Sequence, residues 1–201
     1  MASIYDLKPK FQALLRPLTR HLAALGVTAN QVTLAAAVLS IAVGTIISIW
    51  SEENWPLLLL PGVLFIRMAL NAIDGMLARE HNLKSKLGAV LNELGDVVSD
   101  TALYLPLALV PGVSPPLIVL ITVLAVIGEM TGVVGVQIGA SRRYDGPLGK
   151  SDRAFAFGLL GLLLGCGMSR GIWLTVFLAV LVALAGLTVV NRARRALLEV
   201  A

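Results

Sequence analysis

NAIDGMLAREHNLKSKLGAVLNELGDVVSD, residues 71–100, begins inside one long apolar segment, crosses a short basic loop and ends inside the next apolar segment. A charged side chain at the centre of a membrane helix costs on the order of ~3 kcal/mol on insertion scales. Asp74, Glu93, Asp96 and Asp100 fall at or near such depth, so their presence points to a use. Asn71 and Asp74 are three apart and share a helix face. Gly88, Asn92, Asp96 and Asp100 recur every four residues and draw one polar stripe down an otherwise apolar helix. Two helices meeting at a short loop bring these faces together near one membrane surface. Converging carboxylate and carboxamide oxygens suit a hard divalent cation such as Mg2+ or Mn2+, and such a cation suits phosphate or pyrophosphate chemistry.

Composition sets the class. The chain has 201 residues, 57% hydrophobic and 14% charged, with mean hydropathy +0.86. That describes an all-α polytopic membrane protein, and the length allows one domain, residues 1–201, of about six spans. The expected spans are 32–50, 55–78, 87–110, 117–140, 154–167 and 171–190. One cysteine, Cys166, excludes a disulfide framework within the chain and reads as a small packing residue. The formal charge of +4 is no nucleic-acid signal, because the basic residues sit in short loops beside apolar spans.

The pattern Asn71-x-x-Asp74-Gly75-x-x-Ala78-Arg79, eight residues, Gly88-x-x-x-Asn92-x-x-x-Asp96 resembles the signature of the CDP-alcohol phosphotransferase family. That signature reads D-x-x-D-G-x-x-A-R, eight residues, G-x-x-x-D-x-x-x-D. Six of the eight fixed positions match; the first and third aspartates are Asn71 and Asn92. The resemblance implies that Asn71, Asp74, Asn92 and Asp96 hold one or two Mg2+ or Mn2+ ions, with Asp100 a further candidate ligand. Asn offers a neutral carbonyl oxygen, so two negative charges are gone, and Glu93 and Asp100 can supply part of the difference. It implies that Asp96 is the catalytic base and that Asp74, Gly75, Ala78, Arg79 and Gly88 lie against the nucleotide. Thr28-Ala29-Asn30-Gln31-Val32-Thr33 resembles the family's T-P-N-x-x-T start of the first span, which adds Asn30 and Thr33 to the nucleotide set.

The reaction so implied is transfer of a substituted phosphoryl group from a CDP-alcohol, with CDP-diacylglycerol the first choice, to a small polar alcohol with release of CMP. A homodimer is the expected assembly. Arg142, Arg143, Lys150 and Arg153 form a compact basic loop beside the acidic site and are expected to meet an acceptor or lipid phosphate; the alternative is a purely topological role. A catalytically silent relative that binds CDP-lipid or partners another synthase is the competing reading. An ion transporter is a third, opposed by the clustering of polar groups at one end of two helices.

The rest of the chain supplies anchors. Ile4, Leu7, Phe11, Leu14, Leu15, Leu18 and Leu22 follow helical spacing, with Lys8, Lys10, Arg16 and Arg20 between them. This predicts an amphipathic helix in the membrane interface over residues 1–25, in which Pro17 introduces a kink. Gly26 ends it, and Thr28 or Asn30 caps the next helix. Trp50 and Trp55 bracket a short loop as interfacial anchors, and Pro61-Gly62 predicts a kink. Arg67 has three readings: a partner for a signature carboxylate, for a substrate phosphate, or for the intramembrane Glu129. Gly128, Gly132, Gly135 and Gly139 give one span a smooth face. The N-terminal segment, the 79–86 loop, the 141–153 loop and the C-terminal tail hold fourteen of the sixteen Lys and Arg. Both termini and the signature are therefore expected on the cytoplasmic side of an integral membrane protein, in the bacterial inner membrane.

Overall fold

The computed structural model describes residues 4–81 and 83–201. Seven α-helices follow one another: α1 (Ile4–Ala24), α2 (Ala29–Ile49), α3 (Leu59–Glu80), α4 (Lys86–Tyr104), α5 (Pro115–Gln137), α6 (Lys150–Gly165) and α7 (Ile172–Val200), and the described residues contain no strand. Short 3-10 turns, Trp55–Leu58 and Leu105–Leu109, precede α3 and extend α4.

Local sequence accounts for the helix ends. Gly26 takes φ +77° and closes α1. Thr28 caps α2: its hydroxyl accepts from the Gln31 amide at 3.3 Å, and the Gln31 side chain accepts from the Thr28 amide at 2.9 Å. Ser85 caps α4 through the Gly88 amide at 2.9 Å. Pro61 lies in the first turn of α3, where a missing N–H leaves no hydrogen bond unmade, so the expected Pro61-Gly62 interruption becomes a helix start. Helix α5 ends at Gln137, and Gly139 takes φ +96° in the turn beyond it rather than extending the small-residue face.

Helix α2 packs on both α3 and α4, α6 lies on α3, and α7 lies along α5. Ile47, Leu60, Leu103, Ile118, Phe157 and Leu178 fill the main core. The Tyr104 and Phe157 rings stack within it, centroids 4.1 Å apart. Small residues set the approach of α2 to α4. A Cβ on Gly44 would run into the Ala102 carbonyl oxygen. Gly44→Val is expected to push the two helices apart at a cost of about 2 kcal/mol, seen as a lowered unfolding temperature in detergent.

Among the described residues, four helices are long and apolar enough to cross a membrane: Ala29–Ile49, Trp55–Glu80, Pro115–Gln137 and Ile172–Val200. The other two expected spans differ for physical reasons. Helix α4 carries Glu93, Asp96 and Asp100, and α6 has only 16 residues, about 24 Å at the α-helical rise. Large apolar side chains such as Val38, Phe65, Val123, Met130 and Val180 are exposed on the outside of the bundle, while Arg67 and Asp74 of α3, Asp100 of α4 and Arg153 of α6 are buried.

Helix α1 packs on α3. Phe11 meets Phe65 edge-on at 6.0 Å, and Arg16 pairs with Glu80 at 3.1 Å. Of its expected faces, the side chains of Ile4, Leu7 and Lys8 lie outside the described residues. Trp50 and Trp55 pack at 5.7 Å at one end of the bundle, where Arg170 donates to Asn54 at 2.5 Å. Cys166 is exposed just beyond the end of α6, which corrects its reading as a packing residue.

Candidate active site

The polar residues of the 71–100 stretch lie where the C-terminal half of α3 faces α4, with the N-terminal part of α2 closing one side. Thr33 of α2 donates its hydroxyl to Asp74 Oδ2 at 2.8 Å. Asn30, one turn earlier, stands over Gly88: a Cβ there would lie 2.7 Å from Asn30 Oδ1. Gly88 is thus where α4 tolerates a close polar neighbour. Arg79 folds back over Gly75, its Nη2 2.9 Å from where a Gly75 Cβ would be. The two halves of the stretch are tied by Asn71, whose Nδ2 donates to Asp96 Oδ1 at 3.4 Å. Asn71 and Ala78 are half-buried, Asp74 is buried and Asn92 is exposed at the rim.

Cations meet these acids from α3 and α6. Lys150, at the start of α6, is in direct contact with Asp96 through its ammonium group. Arg67 of α3 approaches Asp100 Oδ1 at 2.6 Å and Asp96 Oδ1 at 3.9 Å. Of its two expected protein partners, it meets the α4 carboxylates rather than Glu129. Arg153 of α6 bridges Asp100 at 2.9 Å and Glu129 at 3.0 Å. Asp100, the further candidate ligand, is therefore held between two arginines.

Glu129 pairs with Arg142 at 3.0 Å and Arg192 at 3.2 Å as well. Arg142 also grips Glu93 through Nε and Nη2 at 2.9 and 2.8 Å. Burial works to lower the Arg142 pKa, but the hydrogen bonds and charges of Glu93 and Glu129 outweigh it and hold the guanidinium above its ordinary value. Arg143 points elsewhere. It pairs with Asp145 at 2.8 Å and Glu199 at 2.5 Å, and lines a surface groove of about 790 Å³ beside Asn191, Arg194 and Arg195. All four cations of the expected phosphate-binding loop thus face carboxylates of their own chain.

Close packing lets this happen. A Cβ on Gly132 would overlap the Arg142 guanidinium, and one on Gly135 would sit 3.4 Å from Ala196 and from Arg143 Cγ. The small-residue face of α5 receives both α7 and the arginine loop. Arg192 is the residue the sequence reading placed outside, in a tail after position 190. It is buried, donating to the Gly128 carbonyl at 2.6 Å and the Asp145 carbonyl at 3.3 Å. The signal was present: Leu174, Leu178, Leu181, Ala185, Thr188, Arg192 and Ala196 continue one buried stripe along α7 at steps of three and four.

Among the described residues, no group of three or more His, Cys, Asp and Glu side chains forms a metal-binding cluster. The oxygen donors at the signature are two aspartates and two asparagines.

The comparisons with known proteins bear on the family and the fold. Residues 26–190 match the family model of CDP-alcohol phosphatidyltransferase. The inner membrane protein YnbA of Escherichia coli (strain K12) is 45% identical over 196 residues, covering 98% of this chain and 97% of its own. Two solved structures share the fold. Phosphatidylinositol phosphate synthase of Mycobacterium tuberculosis with CDP-DAG bound superposes with TM-score 0.75 at 20% identity, over 90% of this chain and 92% of its own. The same synthase with manganese and citrate gives 0.74 at 20% identity, over 90% and 88%. The chain belongs to the CDP-alcohol phosphatidyltransferase family.

Proposed function

We propose that this chain is a working membrane phosphotransferase of phospholipid synthesis, taking CDP-diacylglycerol as donor and a small polar alcohol as acceptor. The observation that carries the reading is the meeting of Asn71 and Asp74 on α3 with Asp96 on α4, with Thr33 on Asp74 and Lys150 on Asp96. The acceptor hydroxyl oxygen attacks the phosphorus that bears the diacylglycerol. The bond from that phosphorus to the CMP oxygen breaks, CMP leaves with the electron pair, and Asp96 takes the hydroxyl proton. Asn30, Thr33, Gly75, Ala78, Arg79 and Gly88 line the nucleotide side. Lys150 stands beside the base with a positive charge toward the phosphates.

The donor set fits a hard divalent cation, because Asp74, Asp96, Asn71 and Asn92 all offer oxygen. Two aspartates rather than four favour one ion over two. Mg2+ or Mn2+ bound there would neutralise the pyrophosphate and the departing CMP.

The reading extends to the setting: six crossings formed by α2 to α7, α1 lying in the interface, the chain a single domain, and the basic end of the bundle in the bacterial cytoplasm. A homodimer is the assembly proposed with it. The fit of α4 and α6 to such crossings rests on their charges being paired inside the bundle.

Mass spectrometry of lipids formed from CDP-diacylglycerol and a panel of alcohols tests the reading. A new phosphatidyl alcohol is expected, lost with EDTA and restored by Mn2+. CDP-diacylglycerol binding without product would favour the second reading, a silent relative, for which the neutral Asn71 and Asn92 speak.

A further inference from the structure

Glu129 is the centre of an arginine cluster. Arg142 and Arg153 each reach it at 3.0 Å, and Arg192 at 3.2 Å. Its side chain is 12% exposed, and the three guanidinium groups come from the 141–149 loop, α6 and α7. Guanidinium groups converging from several elements on one anion form the arrangement that recognises a phosphate. Here the anion is a side chain of α5. Arg153 also holds Asp100, one helical turn from Asp96, so the cluster is continuous with the signature.

The charges of this interior balance. Asp74, Glu93, Asp96, Asp100 and Glu129 stand against Arg67, Arg142, Lys150, Arg153 and Arg192, and each of these cations is already paired. A phosphate monoester would bring about two further negative charges, and an uncompensated charge among buried groups is costly.

We infer that Glu129 stands in for a phosphate, so that the acceptor of this transferase is an alcohol carrying no phosphate of its own. The inference rests on the proposed transfer reaction and names the substrate class of that same site, with Glu129 as the specificity-determining residue.

Two arms test it on the full chain in detergent. In the first, CMP release is compared for glycerol and inositol against glycerol 3-phosphate and inositol phosphate. The neutral alcohols are expected to show at least tenfold higher kcat/KM, and a preference for the phosphorylated acceptors would overturn the inference. Product from no acceptor would sink the transfer reading itself and leave the second arm to decide.

That arm needs no turnover: thermal stabilisation by inorganic phosphate is followed in the unaltered chain and in Glu129→Gln. The unaltered chain is expected not to respond. The variant, in which Arg192 loses its carboxylate partner while Arg142 keeps Glu93 and Arg153 keeps Asp100, is expected to be stabilised, with a half-saturating phosphate concentration about tenfold lower or better. Stabilisation of the unaltered chain by phosphate overturns the inference, and a variant that gains nothing overturns the role of Glu129. If Glu129→Gln does not fold, the response of the unaltered chain decides alone.

Discussion

Asp96→Asn is expected to lower CMP release by about 10²–10⁴-fold, the usual contribution of a positioned general base. The substitution keeps the size and shape of the side chain but removes the lone-pair basicity and the charge. It leaves much of the neighbourhood standing. Asp100 still holds Arg67 at 2.6 Å and Arg153 at 2.9 Å, and Thr33 still donates to Asp74. Lys150 loses its partner but is 30% exposed and can turn to water. The unfolding temperature should therefore stay near that of the unaltered chain while turnover falls. Single-turnover measurement with saturating donor separates the two effects. A variant that keeps its rate would place the base elsewhere on α3 or α4.

Asp100→Ala is expected to have the largest effect on stability. The carboxylate is buried between Arg67 and Arg153, themselves 3% and 2% exposed. Removing it leaves Arg67 with the Asp96 carboxylate at 3.9 Å and backbone carbonyl at 3.4 Å, and Arg153 with Glu129 and the Leu148 carbonyl. Breaking a buried pair by deleting one partner costs about 3–5 kcal/mol, because the remaining charge stays desolvated. For a chain of this size that corresponds to roughly 10 °C in unfolding temperature. Removal of Glu80 from its exposed pair with Arg16 should change the same readout little. Equal effects of the two substitutions would mean that water reaches Asp100 freely.

The helical class and the register of the signature were legible because they depend on short-range spacing. Asn71 with Asp74, and Gly88 through Asp100, fall on common helix faces whatever the tertiary packing, and the eight-residue separation leaves room only for a tight connection. The Thr28 cap was legible for the same reason, since its partner Gln31 is three residues away. Partners far apart in the chain were not. Glu129 meets arginines from the 141–149 loop, α6 and α7, and nothing in the spacing of the sequence fixes how those elements are brought around α5. Arg192 escaped because a run of arginines near a chain end reads as solvated charge, while the buried stripe that contains it continues past the apolar run that ends at Val190. The arginine loop looked like a phosphate rim because its acidic partners, Glu93, Asp100, Glu129 and Glu199, lie on other helices. Its charge was visible in the sequence; its neutralisation required the fold.

A signature with Asn71 and Asn92 in place of two aspartates is expected still to turn over. The deciding measurement is CMP release from CDP-diacylglycerol with Mg2+ or Mn2+ and neutral alcohols, in the unaltered chain beside the double variant Asn71→Asp with Asn92→Asp. Metal-dependent CMP from the unaltered chain is the expected result. Release confined to the double variant would contradict this and mark the natural chain as a silent member of its family.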